Sequence, residues 1–301
     1  MLESKTPLAE RLRPAGINEL VGQEHLLGEN GVLRKVITSG NIPSMILWGP
    51  PGVGKTTIAN IIANEVKSPF FRLSAVSAGV KDVREVISKA TRLASAILFI
   101  DEIHRFNKSQ QDALLGAVEK GTITLIGATT ENPSFEVNSA LLSRCQVYTL
   151  ESLTTKHLEK LLVKALSEDF ELKKRKIVFK EKEALFKLSG GDARKLYNLI
   201  ELVADAAVED KIEVTNDQLI SLAQQRIAIY DKSGEQHYDI ISAFIKSIRG
   251  SDPNAALYYL ARMIEGGEDV KFIARRLLIL SSEDIGNANP TALVLANSCF
   301  Q

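Results

Sequence analysis

The sequence predicts an α/β domain built on a mainly parallel five-stranded sheet, followed by helical segments. Three observations predict it. A short apolar run, Met45-Ile46-Leu47-Trp48, leads straight into Gly49-Pro50-Pro51-Gly52-Val53-Gly54-Lys55-Thr56, after which Ile58, Ile61, Ile62 and Val66 recur at helical spacing. A second apolar run, Ala96-Ile97-Leu98-Phe99-Ile100, ends abruptly in Asp101-Glu102. Around these two runs strand-like and helix-like segments alternate as β-α-β-α-β-α-β-α-β, the order of a layered sheet whose ligands sit at the carboxyl ends of the strands.

Bulk properties narrow the class. At 301 residues the chain suggests two or three domains, and its apolar and charged fractions are those of a globular protein. Formal net charge is zero, so any contact with DNA must come from a local patch. Cys145 and Cys299 lie far apart, which argues against a disulfide framework and fits a reducing compartment. The four histidines, His25, His104, His157 and His237, are scattered, and none joins a cysteine at zinc-site spacing. There is no signal-peptide core at the N-terminus and no apolar run of membrane-spanning length.

Residues 1–44 contain Leu12-Arg13-Pro14, then Leu20-Val21-Gly22-Gln23, then a helix through Val32, Leu33, Val36 and Ile37 that Gly40-Asn41-Ile42-Pro43 breaks. The segment reads either as an arm packed on the core or as a lip that grips an adenine base. Gly49 to Thr56 fits the phosphate-binding P-loop pattern G-x-x-x-x-G-K-[ST]. Its glycines let consecutive N–H groups curl inward, Lys55 can neutralise the β- and γ-phosphates of ATP, and the Thr56 hydroxyl can ligate Mg²⁺. The helix that follows, opening through Thr57, adds its N-terminal N–H groups. Val53 contributes backbone rather than side chain, and Pro50 and Pro51 complete the nucleotide-binding loop.

Phe70-Phe71-Arg72-Leu73 reads as a strand, and Val80, Val83, Ile87, Ala90 and Ala94 mark an amphipathic helix. Asp101, at the end of the third strand, is placed to hold Mg²⁺, and Glu102 to take a proton from the attacking water. Asn107-x-x-Gln110 is a capping-box start for a helix through Ala113, Leu114, Ala117 and Val118, which Gly121 ends. Residues 122–128 form a strand that closes in Thr129-Thr130-Glu131-Asn132-Pro133; a hydroxyl there can sense a γ-phosphate, or the run is ordinary turn chemistry. Ser143-Arg144-Cys145 ends a short helix before the last strand, Val147-Tyr148-Thr149-Leu150.

Beyond residue 150, Thr154 or Thr155 can cap a helix through Leu158, Leu161, Leu162 and Ala165. The basic run Lys173-Lys174-Arg175-Lys176 is either a solvated loop or a localisation or DNA signal. Asp192 can cap a helix bearing Leu196, Leu199, Ile200 and Val203, whose first turn holds Arg194; a cation there opposes the helix dipole and so points to an anion. Thr215 caps one more short helix, residues 226–237 read as a polar linker with Gly234, and helices follow at 240–248, from Asp252-Pro253 to Ile264, and at 270–280. The chain stops inside what reads as a continuing helix, which suggests a fragment of a longer protein.

The P-loop, Asp101-Glu102, Thr129-Thr130, Ser143-Arg144-Cys145 and Gly191-Asp192-Ala193-Arg194 occur together and in order. The chain thereby resembles an AAA+ ATPase of the clamp-loader clade. Leu47-Trp48-Gly49, Asp101-Glu102-Ile103-His104-Arg105-Phe106-Asn107 and Gly127-Ala128-Thr129-Thr130-Glu131-Asn132-Pro133-Ser134-Phe135 narrow the resemblance to the replication-associated recombination protein A family, with its eukaryotic Werner-helicase-interacting counterpart. Tyr230-Asp231-Lys232, His237-Tyr238-Asp239, Ser247-Ile248-Arg249-Gly250-Ser251-Asp252-Pro253 and Ser282-Glu283-Asp284-Ile285-Gly286 extend it over the whole chain. The resemblance implies a nucleotide-binding core over residues 1–150, an all-α lid over 151–226, and the start of a helical assembly domain over 227–301. It implies strand order 5-1-4-3-2, Thr130 as the water-positioning sensor, Arg144 as a finger reaching a neighbouring subunit's nucleotide, Arg194 as the lid arginine on the γ-phosphate, and Val21 and Gly22 against adenine. It further implies a cytoplasmic, nucleoid-associated, DNA-dependent ATPase of replication-fork maintenance. That enzyme would be a homotetramer acting on single-stranded, gapped or forked DNA beside single-strand-binding protein. The rival readings are a clamp-loader-type scaffold that binds ATP with little turnover, and a small-molecule kinase. Glu102 and Arg144 speak against the first, and the second needs neither Asp101-Glu102 nor Ser143-Arg144-Cys145.

Overall fold

A computed structural model describes residues 6–93, 96–206, 211–230, 235–265 and 268–301, with backbone alone at 176, 211, 224–230 and 235–239. The chain divides into two compact units, residues 1–219 and 220–301.

The first unit opens with three helices, α1 (Leu8–Arg11), α2 (Glu24–Leu27) and α3 (Val32–Ser39), the last ending at Gly40 in the left-handed region. A strand–helix alternation follows: β1 (Met45–Trp48), α4 (Lys55–Val66), β2 (Phe70–Ser74), α5 (Val80–Ala90), β3 (Ile97–Asp101), α6 (Lys108–Glu119), β4 (Thr124–Thr129), α7 (Pro133–Glu136), α8 (Ser139–Leu142) and β5 (Gln146–Thr149). All five strands pair in parallel, in the order β2-β3-β4-β1-β5. This is the order that the resemblance implied, read from the other edge.

The apolar runs are continuous because both faces of the sheet are covered. Side chains alternate between the faces. Met45, Leu47, Ile97, Phe99, Ile126 and Ala128 join Leu33 and Ile37 of α3 and Ile58, Ala59, Ile62 and Ala63 of α4. Ile46, Leu98, Ile100 and Leu125 join Val83 and Ala90 of α5 and Leu114 and Ala117 of α6 on the other side. The register carries β3, β4 and β1 to a common end. Trp48 lies opposite Thr129, and Gly49 N–H donates to Thr129 O at 3.2 Å.

The rest of this unit comprises α9 (Thr155–Glu168), α10 (Phe170–Lys173), β6 (Lys176–Phe179), α11 (Glu183–Ser189), α12 (Ala193–Ala206), β7 (Lys211–Val214) and the start of α13 (Asn216–Tyr230). Thr154 caps α9, accepting from His157 N–H. The expectation of an all-α segment needs amending, because β6 and β7 form a two-stranded parallel sheet. Each strand is four residues long, too short for alternation to register, and their pairing joins residues far apart in sequence. The basic run is a local structure. Lys173 closes α10, Lys174 lies 3.9 Å over the Phe170 ring and pairs with Glu171, and Arg175 donates to Ala204 O. The helix that Thr215 opens is 15 residues long rather than short, because it continues through the sequence taken as linker. Of that linker, residues 231–234 lie outside the described residues, as does the Asp231-Lys232 of the family stretch; the side chains of Tyr230 and His237-Tyr238-Asp239 do too.

The N-terminal arm is tied down by polar pairs. Arg11 holds Asp169 with two hydrogen bonds of 2.7 and 3.1 Å and also reaches Glu201, which accepts from Leu8 N–H. Burial alone would raise the Asp169 carboxyl, but Arg11 and the Leu172 and Glu171 N–H groups outweigh it and hold it below the usual carboxylate range. A depressed carboxyl contributes stability above its unfolded value, and that contribution disappears as pH falls through the native one. Arg11→Met is therefore expected to cost about 2–3 kcal/mol near neutral pH, less than the ~3–5 kcal/mol of a fully buried pair. The Asp169 side chain is 3% exposed, whereas that of Arg11 is 24% exposed. The gap between wild type and variant should narrow as urea melts are taken down through and below the ordinary carboxylate range. A constant gap would show that the pair is not the source.

The second unit holds α14 (Glu235–Arg249), α15 (Pro253–Glu265), α16 (Val270–Leu280) and α17 (Pro290–Phe300). Its core is Ile240, Ile241, Phe244, Ile245, Met263, Ile273 and Leu280. Asp252 accepts from Ala255 N–H ahead of Pro253, the cap that the sequence indicated. Val294 and Leu295 of α17 are exposed.

Candidate functional site

The site lies where β1, β3 and β4 end. Gly54 adopts φ 102° immediately before α4, so the chain turns from loop to helix with Lys55, Thr56 and Thr57 in the first turn. The N–H groups of a first turn have no acceptor within the helix and face outward as donors. Gly49 is required by proximity as well as pattern, since a Cβ there would lie 2.4 Å from Leu150 O. Lys55 is buried, and its Nζ donates to Gly49 O at 2.7 Å and Pro50 O at 2.8 Å. Burial pushes its ammonium below the usual lysine value; Glu102 and Asp101 oppose this and Arg194 adds to it. Lys55 thus shares one electrostatic neighbourhood with Asp101, Glu102 and Arg194, and a polyanion there would restore what burial removes.

Asp101 is the last residue of β3, and Glu102 follows with φ 56°, a left-handed conformation rare outside glycine. The turn is pinned by Glu102 O, which accepts from Arg105 N–H at 2.9 Å, and by Asp101 O, which accepts from Ala75 N–H at 3.0 Å. Thr130 follows the end of β4 and is half-buried, next to the fully buried Thr129.

Two elements reach the site from outside the sheet. Residues 20–23 lie against the start of the lid segment: Gln23 exchanges side-chain bonds with Glu151 O and N–H at 2.7 and 2.9 Å, and a Cβ on Gly22 would meet Leu153 at 2.6 Å. Leu20 approaches Gly54, so the segment that carries Val21 and Gly22 meets the P-loop at Leu20. From the lid, Asp192 accepts from Arg194 and Lys195 N–H at 2.7 and 3.0 Å, capping α12. Ala193 N–H donates to Gly52 O at 3.1 Å. A Cβ on Gly52 would sit 1.7 Å from Asp192 Oδ1. The P-loop pattern leaves position 52 free, so this need for glycine was not legible from the motif. Arg194 is exposed on the same first turn.

Arg144 is not among these residues. It precedes β5, at the opposite end of the strands, where it pairs with Glu119 at 2.5 Å and donates to Ala140 O at 2.6 Å. Ser44 and Thr124, at the N-terminal ends of β1 and β4, line the same groove.

A family model described as "ATPase family associated with various cellular activities (AAA)" matches residues 45–152, "AAA C-terminal domain" matches 173–249, and "MgsA AAA+ ATPase C terminal" matches 250–301. Replication-associated recombination protein A of Coxiella burnetii is 51% identical over 98% of this chain and 69% of its own length. The chain belongs to the replication-associated recombination protein A family. The Escherichia coli K12 member is 48% identical, again over 98% of this chain and 69% of its own. The ATPase WRNIP1 of Dictyostelium discoideum is 44% identical over 99% of this chain and 37% of its own. Among solved structures, the RuvB Holliday junction branch migration motor of Thermotoga maritima superposes with a TM-score of 0.60 at 30% identity, covering 79% of this chain and 80% of that one. The chain is accordingly an AAA+ ATPase with a nucleotide-binding P-loop. No helix among the described residues is long and apolar enough to cross a membrane.

Proposed function

We propose that this family member is a DNA-dependent ATPase that remodels stalled forks, gaps or DNA ends, and that its complete site forms between two subunits. The observation that carries the reading is the division of the charged residues. Lys55, Asp101, Glu102 and Arg194 share one end of the sheet, while Arg144 stands at the other. The names of relatives, replication-associated recombination protein A and a branch migration motor, support DNA as the partner.

In this reading ATP lies over the P-loop, with adenine toward Val21 and Gly22 and phosphates on the N–H groups of Gly52, Val53 and Gly54 through Thr57, while the Gly49 N–H stays on Thr129 O. Pro50 and Pro51 contribute shape and no N–H. Thr56 and Asp101 offer hard oxygen donors suited to Mg²⁺, which when bound neutralises phosphate charge. Lys55 exchanges its backbone acceptors for phosphate oxygens. Thr130 orients a water, Glu102 accepts its proton as the oxygen attacks the γ-phosphorus, and ADP leaves with the β–γ bridging oxygen. Arg194 stabilises the γ-phosphate from the lid, and Arg144 of a neighbouring copy from the other side. The assembly is a homotetramer in the cytoplasm, associated with the nucleoid and single-strand-binding protein; the exposed apolar residues of α17 suit contact between copies.

The test is ATP turnover without DNA and with single-stranded, gapped or forked DNA. Stimulation by one of these over blunt duplex is expected. ATP binding without turnover under every condition would favour the scaffold reading, and turnover indifferent to DNA would overturn the DNA dependence.

A further inference from the structure

His104 joins two parts of the site that the proposed mechanism uses separately. Its Nε2 lies 3.3 Å from Glu102 Oε2, and its Nδ1 lies 3.0 Å from Thr129 Oγ1. The imidazole side chain is 13% exposed and Thr129 is fully buried, so water competes poorly for either contact. Thr129 is in turn fixed by its own chain: Glu131 N–H donates to Oγ1 at 3.0 Å, and Glu131 O lies 3.1 Å from the same oxygen.

Proton accounting restricts this chain of contacts. Oγ1 carries one hydrogen and two lone pairs, and Glu131 N–H takes one lone pair. When the hydroxyl donates to Nδ1, the neutral ring must carry its proton on Nε2, facing Glu102. When the hydroxyl donates to Glu131 O, Nδ1–H donates to Oγ1, and only the imidazolium keeps an Nε2–H for Glu102. The remaining neutral tautomer sets a bare Nε2 lone pair against a carboxylate oxygen and is repulsive. Every favourable arrangement therefore directs Nε2–H at Oε2.

We infer that His104 is a positioning residue for the general base, and that Thr129 sets its orientation, so the strand end bearing Thr130 also aims Glu102. Holding Oε2 leaves Oε1 as the oxygen that takes the proton from water. It also steadies a side chain whose backbone sits in a sparsely populated conformation, at φ 56°. Movement of the 129–131 turn on contact with the γ-phosphate passes through the imidazole to the base, which couples sensing to activation. The inference rests on the reading of Glu102 as the base.

The experiment measures ATP binding with a fluorescent analogue, turnover, and single-turnover hydrolysis with radiolabelled ATP. The variants are His104→Ala, His104→Gln, Thr129→Val and Thr129→Ser, with Glu102→Gln alone and combined with His104→Ala. His104→Ala is expected to lower kcat about 10- to 100-fold, the scale on which partners that orient a reactive group act, with ATP affinity kept. His104→Gln retains an N–H donor near the Nε2 position and should recover part of the loss, as Thr129→Ser should relative to Thr129→Val. Residues that act as one unit are non-additive, so His104→Ala should cost little more once Glu102 is Gln. Wild-type kcat in His104→Ala, or an undiminished His104 effect in the Glu102→Gln background, overturns the inference. So does a loss in which affinity and melting temperature fall together and Gln does not rescue. Wild-type turnover in Glu102→Gln alone overturns instead the assignment of the base. If Thr129→Val does not fold, because it strands the Glu131 N–H, the His104 pair decides the matter.

Discussion

Glu102→Gln is expected to bind ATP nearly as wild type does and to hydrolyse it ~10²-fold or more slowly, the scale of a lost general base. The amide keeps the size and shape of the side chain and can still meet the His104 ring, so the left-handed turn after β3 has no reason to refold. What it loses is the capacity to accept a proton from water. Lys55→Ala is expected to behave differently. The buried Nζ is the cation nearest the loop carbonyls that phosphates would replace, so its loss should weaken binding itself. Binding titrations beside turnover separate the two, and wild-type turnover in Glu102→Gln would sink the role given to this carboxylate.

Arg144→Ala is expected to reduce turnover toward the lower end of the ~10³–10⁵ range seen for arginine fingers in P-loop enzymes, since Arg194 already supplies one guanidinium. The position of Arg144 sharpens the case. It stands before the first residue of β5, and Lys55 and Glu102 lie beyond the opposite ends of β1 and β3. Four residues of strand span about 13 Å, so Arg144 is out of reach of its own nucleotide. The competing explanation is its local pair with Glu119. Those side chains are 39% and 43% exposed, and a pair that open to solvent is worth about 0–1 kcal/mol. A contribution of that size does not produce a thousandfold effect on rate. Mixing decides between them. Arg144→Ala keeps the base and lacks the finger, while Glu102→Gln keeps the finger and lacks the base. Each alone should be nearly inactive, and after subunit exchange the mixture should exceed the sum of the two. Glu119→Gln should remain active. A mixture that stays at the sum, or a Glu119→Gln enzyme as poor as Arg144→Ala, assigns Arg144 to local structure.

By itself the sequence determined the nucleotide-binding core. The P-loop, the acidic end of β3, the Thr129-Thr130 strand end and the helix caps at Asn107, Thr154 and Asp192 are each written within a few consecutive residues. Their physics is local as well: backbone curl, a strand that runs out into polar residues, a side chain that satisfies the N–H two or three positions on. The apolar runs told of a sheet buried on both faces for the same reason. Only the tertiary structure decided what depends on contacts between distant segments. The pairing of residues 176–179 with 211–214, the clasp of Arg11 on Asp169 and Glu201, the seat of Asp192 against Gly52 and the bridge from Glu102 through His104 to Thr129 are of this kind. His104 in the sequence is a histidine three residues beyond an aspartate, with nothing to say where its second nitrogen points. Thr129 becomes its partner because β3 and β4 are neighbours in a parallel sheet, and strand adjacency is set by the packing of both faces rather than by any residue along the way.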